Sequence, residues 1–145
     1  MSLRDVLTDE SRKAAVVSDC LSILDAEVKS KKGLSGMAIK TGYKVVKGFK
    51  PGFVKNVVTD LLPEFADALE PMADAAKAAG EPAARYFAAH SGELADALLS
   101  ITDKKAARST NRVVKGTYDK LRPTAKRHVG DAAPRLGGLV DKYVS

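Results

Sequence analysis

The sequence predicts an all-α fold, a compact helical bundle spanning residues 1–145 as one domain, and three observations carry that prediction. Apolar residues recur at alternating steps of three and four, the spacing that lines one face of a helix. Strictly alternating strand patterns are absent, and the β-branched pairs Val45-Val46, Val57-Val58 and Val113-Val114 each lie inside a longer helical period. Gly and Pro divide the chain into pieces of helix length. With 145 residues, 45% apolar and 29% charged, the chain has the apolar content to fold and is remote from the composition of disorder.

The elements are read in order. From Thr8 to Lys32, the residues Ala14, Val17, Leu21, Leu24 and Val28 define one helix. Thr8 suits its N-cap, Asp9 and Glu10 suit the positive end of its dipole, and Lys29, Lys31, Lys32 and Gly33 suit its end. A second helix is expected from about Ser35 to Gly48, ended by Lys50-Pro51-Gly52. A third carries Phe53, Val54, Val57, Val58, Leu61 and Leu62. Pro63 and Pro71 are each expected to begin or kink a helical piece, since a proline ring suits a first turn and disrupts an interior. Pro82 opens a segment to His90, and Ser91 is expected to cap the next, over Glu93 to Ile101. Thr102 and Asp103 are read as a further start, with Gly116 as its end. Thr117 to His128 and Asp131 to Val144 complete the chain, interrupted by Pro123, Pro134 and Gly137-Gly138. Leu21, Leu24, Val28, Val58, Leu62, Phe65, Leu98 and Val129 are the expected core.

Two related helical units are also expected, an internal repeat of residues 38–65 and 106–136. Ala38, Lys40, Thr41, Lys44, Val45, Val46, Lys47 and Gly48 match Ala106, Arg108, Ser109, Arg112, Val113, Val114, Lys115 and Gly116 at a separation of 68. Lys55, Val58, Asp60, Pro63 and Phe65 match Lys126, Val129, Asp131, Pro134 and Leu136 at a separation of 71. A period of this length reports one supersecondary unit used twice. The runs Gly33-Leu34-Ser35-Gly36, Gly42-Tyr43-Lys44, Lys50-Pro51-Gly52, Leu61-Leu62-Pro63-Glu64-Phe65 and Pro134-Arg135-Leu136-Gly137 resemble a family of small bacterial all-helical proteins of unknown function. The resemblance covers nearly the whole chain. It implies a bacterial, non-secreted setting and no assigned activity or functional residue.

No catalytic or cofactor motif is visible, and the chain is read as a non-enzymatic binding protein without cofactor. His90, His128 and Cys20 are too few and too scattered for a metal centre. Cys20 borders the apolar stripe, as a buried small hydrophobe does. Adjacent helical residues diverge by about 100°, so His90-Ser91 is no base and nucleophile pair. Gly33-Leu34-Ser35-Gly36 lacks the further glycine and the lysine of a phosphate loop. Asp60, Glu64, Asp67, Glu70 and Asp74 read as a solvated acidic face. The start of the chain lacks a basic, apolar export signal, no stretch is long enough to span a bilayer, and Cys20 is the only cysteine. A cytoplasmic location is the expectation.

Charge carries the functional content. Net charge is +4 over residues 1–50, −6 over 51–103 and +8 over 104–145. Lys40, Lys44 and Lys47, and in the second copy Arg108, Arg112 and Lys115, are spaced four then three, so each set is expected to form a basic stripe along one helix. Such stripes suit an anionic partner, either nucleic acid or an anionic membrane surface, with Tyr43, Val46, Phe49 and Phe53 as the apolar side of the latter. They also suit the acidic middle of the same molecule or of a second copy in a homo-oligomer. The alternative function is a carrier for an apolar small molecule or lipid, held in a cavity between the two units.

Overall fold

The computed structural model describes residues 1–144, which form eight α-helices and no strand among the described residues. These are α1 (Leu3–Thr8), α2 (Lys13–Ser30), α3 (Gly33–Phe49), α4 (Phe53–Ala78), α5 (Ala83–Ala89), α6 (Ser91–Arg108), α7 (Arg112–Asp131) and α8 (Ala133–Val144). The all-α class follows directly from the periodicity. Several boundaries do not.

Thr8 ends a helix instead of capping one, and its hydroxyl donates to the Arg4 carbonyl. The start of α1 is fixed by Ser2 and Asp5. The Ser2 Oγ accepts from the Asp5 amide at 3.1 Å and the Asp5 carboxylate accepts from the Ser2 amide at 3.2 Å. Asp9 then accepts from the Ser11 amide and hydroxyl, a local turn that separates α1 from α2. Pro63 and Pro71 sit inside one 26-residue helix, and Pro123 inside α7. A proline removes one ladder bond. In α4, the burial of Leu61, Leu62, Ala66, Leu69 and Met72 on both sides of the prolines holds the helix through that loss. Thr102 and Asp103 lie within α6 and Gly116 within α7, with the break at residues 109–111, where Asn111 caps α7 through the Val114 amide. Ser91 is the first residue of α6, and the N-cap position is His90.

The apolar core gathers at one end of the molecule. Leu3 and Leu7 of α1, Val16 and Val17 of α2, Leu62, Ala66, Leu69 and Met72 of α4, Ala83 and Phe87 of α5, Leu94 of α6, and Ala133 and Val140 of α8 form it. Of the expected core residues, Leu62 is fully buried, while Leu21, Val58 and Leu98 pack on the core half-buried. Leu24, Val28, Phe65 and Val129 are also only half-buried. Periodicity identified their faces correctly as apolar, but neighbouring helices cover these four positions only in part.

The last four helices pack in the order of the first four. α1 lies on α4 as α5 lies on α8, α2 pairs with α3 as α6 with α7, and α4 meets α6 as α8 meets α2. Buried residues correspond: Leu7 with Phe87, Val16 with Leu94, Leu62 with Ala133, Leu69 with Val140. Leu21-Ser22-Ile23-Leu24-Asp25 in α2 answers Leu99-Ser100-Ile101-Thr102-Asp103 in α6. Asp25 accepts the Tyr43 hydroxyl from α3, and Asp103 accepts the Tyr118 hydroxyl from α7. The pairing at a separation of 71 meets a break: residues 55–65 lie within α4, whereas 126–136 run from the end of α7 into α8. The pairing at 68 is corrected: residues 38–48 lie within α3, whereas 106–116 cross the break between α6 and α7. Tyr43 and Tyr118, 75 apart, hold the corresponding places.

Candidate functional site

The six basic residues singled out in the sequence are all exposed. Lys40, Lys44 and Lys47 share α3. Arg108, however, is the last residue of α6 and Arg112 the first of α7, so the second set is divided between two helices and forms no single stripe. Lys47 is engaged with Asp25 at 3.7 Å and lies over the Tyr43 ring. Lys40, Lys44, Arg108, Arg112 and Lys115 make no ion pair among the described residues.

The polar ties under this surface come from α2 and α6. Asp103 receives a two-pronged contact from Arg122, at 2.8 and 3.1 Å, besides the Tyr118 hydroxyl. These bonds hold its carboxyl below the usual carboxylate range. Burial and the Asp103 contact push the Tyr118 phenol up to about 12. Tyr43 shifts in the same direction through burial and its bond to Asp25. Tyr43 and Val46 therefore face inward, half-buried, and are not the exposed apolar partners of the lysines. Phe49 meets Phe53 edge to face at 5.3 Å.

The exposed apolar side chains are others. Leu34 is 90% exposed, Met37 65% and Val45 42%. With Thr41 they recur at steps of three and four along a single face of α3. Lys40 and Lys44 border this face. Val113 on the first turn of α7 is 53% exposed. Away from the chain ends, the exposed large apolar residues among those described lie only on α3 and at this start of α7. Between them runs a groove of about 240 Å³, lined by Met37, Ala38, Val45, Thr117, Lys120 and Leu121 among others. Gly42 lets the helices meet here, since a Cβ at that position would stand 2.7 Å from Leu121 Cδ1. The surrounding sequence is free of acid: residues 28–59 hold eight lysines and no carboxylate, and 104–118 hold five basic residues and none.

A second, larger cleft of about 500 Å³ lies where the 30–32 turn meets the end of α7 and start of α8. At its back is a buried ionic knot. Lys31 Nζ, on a side chain 7% exposed, donates to Glu27 Oε2 at 3.1 Å, to the His128 carbonyl at 3.2 Å and to Asp131 Oδ2 at 3.4 Å. Glu27 also receives Arg135 at 2.9 Å. His128 is buried beside the knot, and neither ring nitrogen has a hydrogen-bond partner. Desolvation, together with Lys31 and Arg127, holds its pKa below the ordinary value of 6.5, against a smaller opposing pull from Asp131.

A family model described as a family of unknown function (DUF6918) matches residues 3–144. The chain belongs to this family. No curated protein and no solved structure matches it. Burial pushes the Cys20 thiol up to about 11, with Asp19 adding to the shift, so it resists forming thiolate. His90 stacks on Tyr86 at 4.0 Å with its Nδ1 2.9 Å from the Tyr86 carbonyl. In the acidic row, Asp67 pairs with Arg4 and Asp60 with Lys105. Among the described residues no group of His, Cys, Asp and Glu could hold a metal ion, and no helix is long and apolar enough to cross a membrane.

Sequence reasoning missed two sets of residues. Leu34, Met37 and Val45 were legible as a second apolar period on α3, offset from the Ile39, Tyr43 and Val46 period that packs inward. The Lys31 and His128 cleft had no such signal beyond Glu27 and Lys31 at i and i+4, because its parts lie about a hundred residues apart in the chain.

Proposed function

We propose that the protein is a non-enzymatic binding protein that docks on an anionic membrane surface through α3 and the first turn of α7. The observation that carries this reading is the exposed apolar row Leu34, Met37 and Val45, with Val113, set in a surface bearing unpaired Lys40, Lys44 and Arg112, with no carboxylate over residues 28–59 or 104–118. Amphipathic helices that lie in a bilayer interface combine these features. Each basic residue near an anionic leaflet contributes about 1 kcal/mol, and burying a side chain such as Leu34 or Met37 about 1.5–3 kcal/mol. A nucleic-acid surface would use the same cations but gain little from apolar groups at its centre, and few aromatics interleave with them.

Flotation with phosphatidylcholine vesicles, with and without phosphatidylglycerol, tests the reading. Binding is expected only with the anionic lipid, reduced but not abolished at high salt, and Leu34→Ser with Met37→Ser removes the salt-resistant part. Equal recovery with both vesicle types, or none with either, overturns it. Salt-sensitive retention on duplex or single-stranded nucleic acid without vesicle binding gives the surface to nucleic acid. The carrier alternative would use the α3–α7 groove, the apolar-lined space between the halves. Its volume of about 240 Å³ is below the several hundred Å³ typical of small-molecule sites, which favours a docking surface.

A further inference from the structure

The larger cleft has a lining that the fold does not require. Its two carboxylates are already occupied, Glu27 by Lys31 and Arg135, and Asp131 by Lys31. Lys32 at its rim has no partner among the described residues, and Arg127 makes one bond, to the Ser35 hydroxyl. α3 begins directly after Lys32 with no side chain capping its first turn, so the positive end of that helix adds to the field. His128 lines the same cleft as a polar side chain more than nine-tenths buried with both ring nitrogens unsatisfied. Buried polar groups are almost always satisfied, and an orphan among cations asks for a partner that brings acceptors.

The corresponding place on the other half makes the contrast. There Asp60 and Pro63, 71 residues before Asp131 and Pro134, lie inside α4, and Asp60 pairs with Lys105, which in the register of Asp25 and Asp103 answers Glu27 and not Lys31. Asn56, Val57 and Glu64 occupy the positions of Arg127, His128 and Arg135. The guanidinium groups and imidazole are added on one side only.

We propose that this cleft binds a phosphate group, carried by a soluble phosphate or by a lipid phosphomonoester headgroup. Lys32 and Arg127 hold its oxygens, with the planar Arg127 fork suited to two of them, and the His128 ring, its nitrogens shielded from solvent behind the cleft, reports the charge bound in front of it. Arg135 and Lys31 stay committed to Glu27 and supply the positive potential behind the ligand. The site stands independently of membrane docking by α3, because none of its cations belongs to the apolar row.

The test follows the His128 ring signals by NMR during titration of the full chain with inorganic phosphate, and separately with a soluble short-chain phosphatidic acid. Sodium chloride at matched ionic strength is the control. Saturable shifts with inorganic phosphate support the site and a soluble ligand. Shifts with phosphatidic acid alone support the site and a lipid headgroup. Lys32→Gln with Arg127→Gln should weaken either by about tenfold or more, with the thermal midpoint retained because both side chains are on the surface. Lys104→Gln with Lys105→Gln, on the opposite half, should leave binding unchanged. No saturable shift with either compound, equal shifts with chloride, or shifts that persist in the Lys32 and Arg127 variant overturn the proposal. Leu34→Ser with Met37→Ser should bind phosphate normally, so failure of membrane docking and failure of this site are separable.

Discussion

The two ends of this bundle are built from different materials. At one end α1, α5 and α8, with the first turns of α2 and α6 and the middle of α4, close around side chains that solvent does not reach, with Phe87, Val16 and Leu94 at 0% exposure. At the other, no large apolar side chain is fully buried between Val17 and Leu61, nor between Leu99 and Ala133. That end, built on α3 and α7, is joined by Tyr43 to Asp25, Tyr118 and Arg122 to Asp103, and Lys31 to Glu27 and Asp131. Its fully buried side chains are the polar Glu27, Lys31 and His128. A helix tied by polar bonds at its edges keeps its outward face free of structural duty. This is why the apolar row of α3 can remain exposed.

The largest separation between the ends should come from deleting buried volume. Phe87→Ala should cost about 3–5 kcal/mol by urea denaturation, whereas Leu24→Ala, at a half-buried site, should cost about 1 kcal/mol. Equal losses would refute the division. Adding volume comes next. A Cβ on Gly137 would stand 2.4 Å from Ala84 Cα and 2.5 Å from the Ala83 carbonyl oxygen, backbone that cannot yield without moving α5 off α8. Gly137→Ala should therefore cost about 1–3 kcal/mol or more, and Gly42→Ala, facing the movable end of Leu121, about 1 kcal/mol or less.

Smaller still is the response of the polar end to acid. The folded protein disfavours the His128 imidazolium, so the unfolded chain binds that proton more tightly. The stability this group confers is complete above its ordinary pKa of 6.5, falls as pH drops below that value, and levels off beneath the folded pKa. Denaturation midpoints between about pH 7 and pH 5 should decline less in His128→Leu than in the parent, and parallel slopes would show that His128 is not the sensor. The smallest effect belongs to the free cations. Lys40→Gln, Lys44→Gln and Arg112→Gln together should shift stability by no more than about 0.5 kcal/mol while weakening anionic-vesicle binding.

The sequence makes these two ends legible to different degrees. Helical class follows from three-and-four spacing, and the apolar face of α4 from Leu62, Ala66 and Leu69. The boundaries near Thr8 and Thr102 escape because a threonine before acidic residues looks the same whether it caps a helix or lies within one. Asp9 folding back on Ser11, and the continuous apolar contacts of Leu94, Leu98 and Leu99, decide the two cases. The pairing at a separation of 68 failed because it matched lysines and valines, residue types that surface helices share. The pairing through Asp25 and Asp103, with Tyr43 and Tyr118, was visible in two five-residue runs with Leu-Ser-Ile and Asp in common, and has a hydrogen bond behind it. Arg108 and Arg112 were assigned to one helix for the same reason: spacing alone does not reveal a break at residues 109–111.

The lack of buried apolar surface beneath α3 also governs how its motions register. Denaturant sensitivity and unfolding heat capacity both scale with the apolar surface that becomes exposed. Lifting α3 away from α2 and α7 would break a few polar ties while uncovering little of such surface. That opening would be nearly silent in a calorimeter or a urea curve, which would still show one cooperative transition set by the core. Amide hydrogen exchange would find it, as protection in α3 that is low and nearly independent of denaturant, beside α4 and α8 amides that exchange only on global unfolding.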